Sequence, residues 1–199
     1  MNLAREGRIA NALASLPVGT IPVGLGLAVA GLSAYGFQII AFRVLGSQAY
    51  AALNGLWVTA FVLAPGLFLP LEQEVARAIA HRNATGVGSR PLIKRAAVLG
   101  LILIVGVVVL LMVAKGPVET RLLRGSDSLF YALIAALIGF AIMSLARGVL
   151  SGNAQFGRYG IVVGVDGFSR VGLAVIAAGI GYGTLGWFGV VFCAAPFIA

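Results

Sequence analysis

LEQEVARAIAHRNATGVGSRPLIKR, residues 71–95, is the only long polar stretch in a chain of 199 residues that is otherwise mostly apolar. It holds Arg77, Arg82, Arg90, Lys94 and Arg95, five of the fourteen Lys and Arg residues. On each side of it lies an apolar run long enough to cross a bilayer. The stretch must therefore emerge from a membrane, and the side on which it emerges orients every other segment.

The composition agrees with that reading. With 60% hydrophobic and 10% charged residues and a mean hydropathy of +1.05, the chain falls outside the range of ordinary soluble domains. The fold class expected is all-α, a polytopic bundle of about six transmembrane helices. A net charge of +8 would suggest nucleic acid in a soluble protein. Here the basic residues cluster at the ends of apolar runs, where they set topology, so no nucleic-acid partner is expected. The single cysteine, Cys193, has no partner for an intrachain disulfide and no neighbouring His or Cys for a metal, and reads as a packed apolar residue. The Asn83-Ala84-Thr85 sequon falls on the side assigned below to the cytoplasm and reads as chance.

Residues 1–20 carry Arg5 and Arg8, then Ile9, Leu13 and Leu16 on one face, which predicts a short interfacial helix. A cleavable signal peptide fits less well, because the apolar stretch before Ala12-Leu13-Ala14 is too short. The spans are expected at 22–42, 50–71, 96–114, 129–150, 161–180 and 185–199. Arg43 to Ser47 makes a tight turn after the first, and Pro65 and Pro70 should kink the second. The third has no polar residue and should face lipid, and Lys115-Gly116-Pro117 should stop it. The last run falls short of the ~20 residues a spanning helix needs, which suggests a chain truncated at its C-terminus. Glycine pairs four apart, Gly148/Gly152, Gly160/Gly164 and Gly179/Gly183, would let helices approach closely.

Alternating spans put Arg5, Arg8, the five basic residues of 71–95, Arg147 and Arg158 on one side, nine in all. Arg43, Lys115, Arg121 and Arg124 make four on the other. The excess predicts a multi-pass protein of the plasma membrane with its N-terminus in the cytoplasm.

No phosphate-cradling glycine motif, metal-ligand cluster or nucleophile with a base is present, so enzyme activity, cofactors and metals are not expected. His81 beside Arg82 reads as a solvated surface histidine. Asp166 and Arg170 are the sharpest feature. A charge near a helix centre costs ~2.5–3.5 kcal/mol on insertion scales, and the i, i+4 spacing puts this pair on one face, about 6 Å apart along the axis. Either they form a structural ion pair, or they line a water-accessible cavity in which Arg170 attracts an anion and Asp166 tunes it or takes up a cation. Arg43 and Arg147 are snorkelling anchors or, if turned inward, positive charge at the mouths of such a cavity. Gln38 and Asn54 read as interhelical hydrogen-bond partners. Glu72, Glu74 and Arg77 stand where the second span leaves the membrane, with Arg77 able to pair with Glu74. They form a solvated helix end or a gate contact.

Three stretches in combination, FRVLGSQAYAALN (42–54), LPLEQEVARAIAHR (69–82) and SGNAQFGRYG (151–160) before a span with an internal acidic-basic pair, carry a family resemblance. Over residues 20–199 the chain resembles the N-terminal half of bacterial polysaccharide biosynthesis membrane proteins. These belong to the superfamily of O-antigen flippases, lipid II flippases and multidrug/toxin extruders. Such families have about twelve to fourteen spans in two lobes that rock about a central site. The resemblance thus implies a single six-helix lobe, completed by a missing second lobe or by a second copy. It also implies a flippase or exporter of lipid-linked oligosaccharide or lipopolysaccharide precursor that works by alternating access. The pyrophosphate of a polyprenyl-linked anionic glycan would be drawn to Arg170 and, less directly, to Arg43, Arg147 and Arg77. Asp166 would be the coupling residue for a proton or sodium ion, and membrane lipids would be constant partners. The alternatives are a cation-coupled multidrug/toxin extruder and a non-transporting membrane partner or inactive fragment.

Overall fold

The computed structural model describes residues 19–86 and 88–199. The expected interfacial helix, with Arg5 and Arg8, lies outside the described residues. Among the described residues the fold is all-α: α1 Thr20–Ala84, α2 Arg90–Val113, α3 Lys115–Leu122, α4 Asp127–Gly152, α5 Phe156–Gly179 and α6 Leu185–Ile198. Four of these, α1, α2, α4 and α5, are long and apolar enough to cross a membrane.

The first element is a hairpin. At Gly46 the backbone leaves the helical region for φ 72°, ψ 173°, a conformation open to glycine because it has no Cβ. The rings on either side then meet: Phe42 lies edge-on to Tyr50 at 5.2 Å, and Phe37 stacks on Trp57 at 5.4 Å. In one continuous helix, residues 37 and 57 would stand about 30 Å apart. The limbs 20–45 and 47–84 are therefore antiparallel, with the turn where the Arg43–Ser47 stretch is expected to make one. Helical dihedrals continue through Pro65 and Pro70.

Glycines set how the helices pack. A Cβ at Gly160 would lie 2.2 Å from the Pro22 carbonyl oxygen, and one at Gly26 would lie 2.3 Å from the Gly160 oxygen. α5 thus runs along the first limb with backbones in contact. Gly148 and Gly152 do the same for α4 against the second limb, where they face Val75, Ile79 and the Glu72 and Ala76 carbonyls. Of the three glycine pairs, only Gly179/Gly183 makes no such seam, because Gly179 faces open space. The contacts of residues 22 and 30 with 160 and 167, and of 72 and 79 with 148 and 152, show that the first limb is parallel to α5 and the second limb to α4. Chain direction alternates accordingly, and the bundle has two ends.

α4 is the central helix, buried along most of its length from Leu129 to Gly152. α2 lies at the edge: Ala96, Gly100 and Leu111 are its only buried residues, Leu103, Ile104, Val107 and Val108 are half-buried against the core, and Val98, Leu99, Leu101, Ile102, Val105, Val109, Leu110 and Val113 are exposed. Residues 71–95 are mostly helix. The second limb of α1 continues to Ala84, and α2 begins at Arg90 with Pro91 in its first turn, where proline's missing N–H costs nothing. Val75 and Ile79, one turn apart, bury against Ala96, Leu145 and Val149, so this segment is an amphipathic extension of the bundle. Lys115-Gly116-Pro117 likewise opens the short helix α3, with Pro117 in its first turn. α6 has 14 residues, about 21 Å of helix.

Candidate functional site: a cavity between the helices of the bundle

A cavity of about 290 Å³ lies between both limbs of α1, α4 and α5. Most of its wall is apolar: Leu27, Ala30, Phe61, Ala64, Leu69, Phe140, Met143 and Val163. Its polar side chains are Ser144, Arg147, Tyr159 and Asp166. Pro65 also lines it and removes the backbone donor that would serve the Phe61 carbonyl.

Asp166 and Arg170 are one turn apart on α5, and Arg170 Nη2 donates to Asp166 Oδ1 at 2.9 Å. The guanidinium is also enclosed by rings. Its central carbon lies 5.4 Å from Trp57, 5.5 Å from Phe61, 5.8 Å from Phe140 and 5.0 Å from Phe192. Each such cation–π contact is worth ~0.5–2 kcal/mol, which together with the ion pair offsets the burial of an arginine that is only 2% exposed. Its Nε remains without a hydrogen-bond partner. Phe61 and Phe140 belong both to this cage and to the cavity wall, so Asp166 faces the cavity while Arg170 sits behind it.

The arginine that lines the cavity is Arg147. Its Nη2 donates to Glu72 Oε2 at 2.7 Å and to Ser144 Oγ at 3.2 Å. Tyr159 donates its hydroxyl to Glu72 Oε1 at 3.0 Å, and the Arg147 guanidinium lies 5.9 Å from the Tyr159 ring centre. Glu72 is 5% exposed and both of its oxygens are engaged. One buried carboxylate thus ties α1, α4 and α5 together, and the hydrogen bonds at both oxygens help to offset the cost of taking it out of water.

The other expected contributors stand elsewhere. Arg77 has a side chain 75% exposed and pairs with Glu74 at 2.7 Å, at the solvated end of α1. Arg43 is exposed beside the Gly46 turn, at the opposite end of the bundle from Arg147. Gln38 Oε1 is buried without a hydrogen-bond partner, although an interhelical bond is expected there.

Glu72 belongs to the site and not to a solvated helix end, the first of the two placements expected for it. A signal was available: Glu72, Val75 and Ile79 recur at i, i+3, i+7, which puts the carboxylate on the face that buries. Tyr159, with Val163, Asp166 and Arg170, continues one stripe of α5 in the same way. Two carboxylates and two guanidiniums thus stand in and around one cavity, each arginine bonded to an acid, with formal charges that cancel. An incoming anion or cation has to displace a partner already in place. A scan of protein-family models and searches of curated proteins and of solved structures return no match to the chain.

Proposed function

We propose that the chain is one lobe of a flippase or exporter of lipid-linked oligosaccharide, a multi-pass protein of the plasma membrane whose basic end faces the cytoplasm. The observation that supports this reading is the cavity with Arg147 and Asp166 in its wall, between helices long and apolar enough to cross a membrane. Ionisable groups at such depth are costly, and in membrane proteins they mark substrate and ion pathways. In the mechanism proposed, the pyrophosphate of a polyprenyl-linked glycan takes the place of Glu72 at Arg147. That breaks the Glu72–Arg147 ion pair that links α1 to α4. A proton or sodium ion arriving at Asp166 or Glu72 neutralises the displaced acid, and a second lobe, in another chain or another copy, completes the central site.

Deletion of the gene is expected to abolish surface polysaccharide while lipid-linked precursor accumulates. Complementation with Arg147→Gln should fail where Arg77→Gln succeeds. Normal surface glycan in the deletion strain would refute the reading. One observation favours a second reading, a cation-coupled extruder of small apolar molecules: both arginines are already neutralised, and the cavity wall is largely aromatic and aliphatic. Drug sensitivity with intact glycan would select it.

A further inference from the structure

Two cavities lie end to end along the same helices. The inner one reaches Asp166. The outer one, about 310 Å³, is lined by Val23, Glu72, Ser151 and Phe156 among others, at the end of the bundle where α4 turns into α5. Leu69 and Tyr159 belong to both walls, so they form the partition between them. On either side of that partition the walls continue on the same helices, from Val23 to Leu27 along the first limb and from Tyr159 to Val163 along α5.

Tyr159 is held in this position by the hydroxyl bond to Glu72 and by the guanidinium beside its ring. Glu72 in turn is held by Arg147. Neither anchor is covalent, so rotation of the Tyr159 side chain would open the α5 side of the partition, opposite Leu69, toward a path from the basic end of the bundle to Asp166. At about 290 Å³ the inner cavity takes no more than the anionic group of a glycan lipid. At about 30 Å³ per water molecule it holds on the order of ten waters, which suits a hydrated ion. Carboxylates stand at both stations of the path, Glu72 at the partition and Asp166 at its inner end. Arg170 takes one oxygen of Asp166 and leaves the other for a further partner.

We infer that Tyr159 is a gate on an access path for small cations, leading from the outer cavity past Glu72 to Asp166. The path rests on the transport reading only for what the arriving cation drives; the gate itself stands or falls separately. The test uses the full chain in lipid nanodiscs with Cys193→Ser, which removes the only cysteine. Val163→Cys then reports on the inner cavity and Ser151→Cys on the outer one, each probed with a small positively charged methanethiosulfonate. With Tyr159 intact, the inner thiol should react much more slowly than the outer. Tyr159→Phe loses the bond to Glu72 and should speed inner labelling by roughly tenfold, the factor one hydrogen bond to a charged group supports. Tyr159→Ala should speed it further, and neither change should alter labelling at position 151. Equal rates at the two positions with Tyr159 intact, or no acceleration in either variant, would overturn the gate. Tyr159→Phe preserves the ring and decides the matter if Tyr159→Ala does not fold. A gate that passes this test in a protein that moves no lipid-linked glycan would count against the substrate, leaving the path in place.

Discussion

Removing the acid of the Asp166–Arg170 pair is expected to cost far more stability than removing the pair. Arg170 is 2% exposed, and its one side-chain acceptor is Asp166 Oδ1 at 2.9 Å. After Asp166→Ala the guanidinium would keep the four rings but lose its counter-charge. Leaving one member of a buried ion pair uncompensated costs about 3–5 kcal/mol, and the rings recover only part of that. Asp166→Asn retains a carbonyl acceptor and should fall toward the lower end of the range. The double variant Asp166→Ala/Arg170→Met removes both charges and keeps most of the volume, so it should lie within about 1–2 kcal/mol of the parent. The double variant should thus be about 2–3 kcal/mol more stable than Asp166→Ala, and measuring Arg170→Met as well completes a double-mutant cycle. The assay is reversible unfolding of the purified protein in mixed micelles, followed by circular dichroism as the denaturing detergent fraction rises. A loss below about 0.5 kcal/mol for Asp166→Ala, or strict additivity in the double variant, would refute the reasoning, since either result means that water already solvates Arg170. Under the proposed function, full glycan export by the double variant would make the pair a structural device alone.

Gly160→Val would place side-chain atoms against the Pro22 carbonyl and should destabilise the bundle by about 1–3 kcal/mol as the first limb is forced off α5. Gly157→Val, at a position with nothing within 4 Å, should unfold close to the parent in the same titration. The Lys115 amine is held above its ordinary value of 10.5 first by the side-chain bond to Asp127 and then by Tyr131. A raised amine stabilises the fold at neutral pH, where it is charged in both states, and the contribution is lost as pH rises through the folded-state value. Asp127→Asn should therefore lower the Lys115 titration midpoint followed by NMR and weaken the protein's stability at pH values below that of free lysine. For sidedness, Ser47→Cys should be labelled by an impermeant thiol reagent added outside intact cells, and Ser89→Cys only after permeabilisation; the reverse pattern would invert the proposed topology.

Much of the architecture was legible because it depends on local chemistry. Apolar runs of about twenty residues specify helices long enough to span a bilayer. The turn near Gly46 could be read from a short interruption between two such runs. The i, i+4 spacing of Asp166 and Arg170 required them to share a face, and the Gly148/Gly152 and Gly160/Gly164 pairs correctly marked the close seams. The extent of helix was less legible at 71–95 and at 115–122. Polar residues and a proline masked the short helix at 115–122 and the point near Pro91 where helix resumes, yet proline in a first helical turn removes no needed donor, and Val75 and Ile79 gain by burial against α4 and α2.

What the sequence by itself determined is therefore the all-α class, the presence of several long apolar helices and the asymmetry of basic residues along the chain. The tertiary structure decided which charges do anything together. Glu72 and Arg147 are 75 positions apart, and no periodicity in either helix specifies that they meet. They do so because Gly148 and Gly152 let α4 lie against the limb that carries Glu72. Likewise, Arg170 is closed off from the cavity and Arg147 open to it because rings from α1, α4 and α6 converge on one guanidinium and not on the other. A charge's cost and use depend on what surrounds it, and those surroundings come from helices distant in sequence.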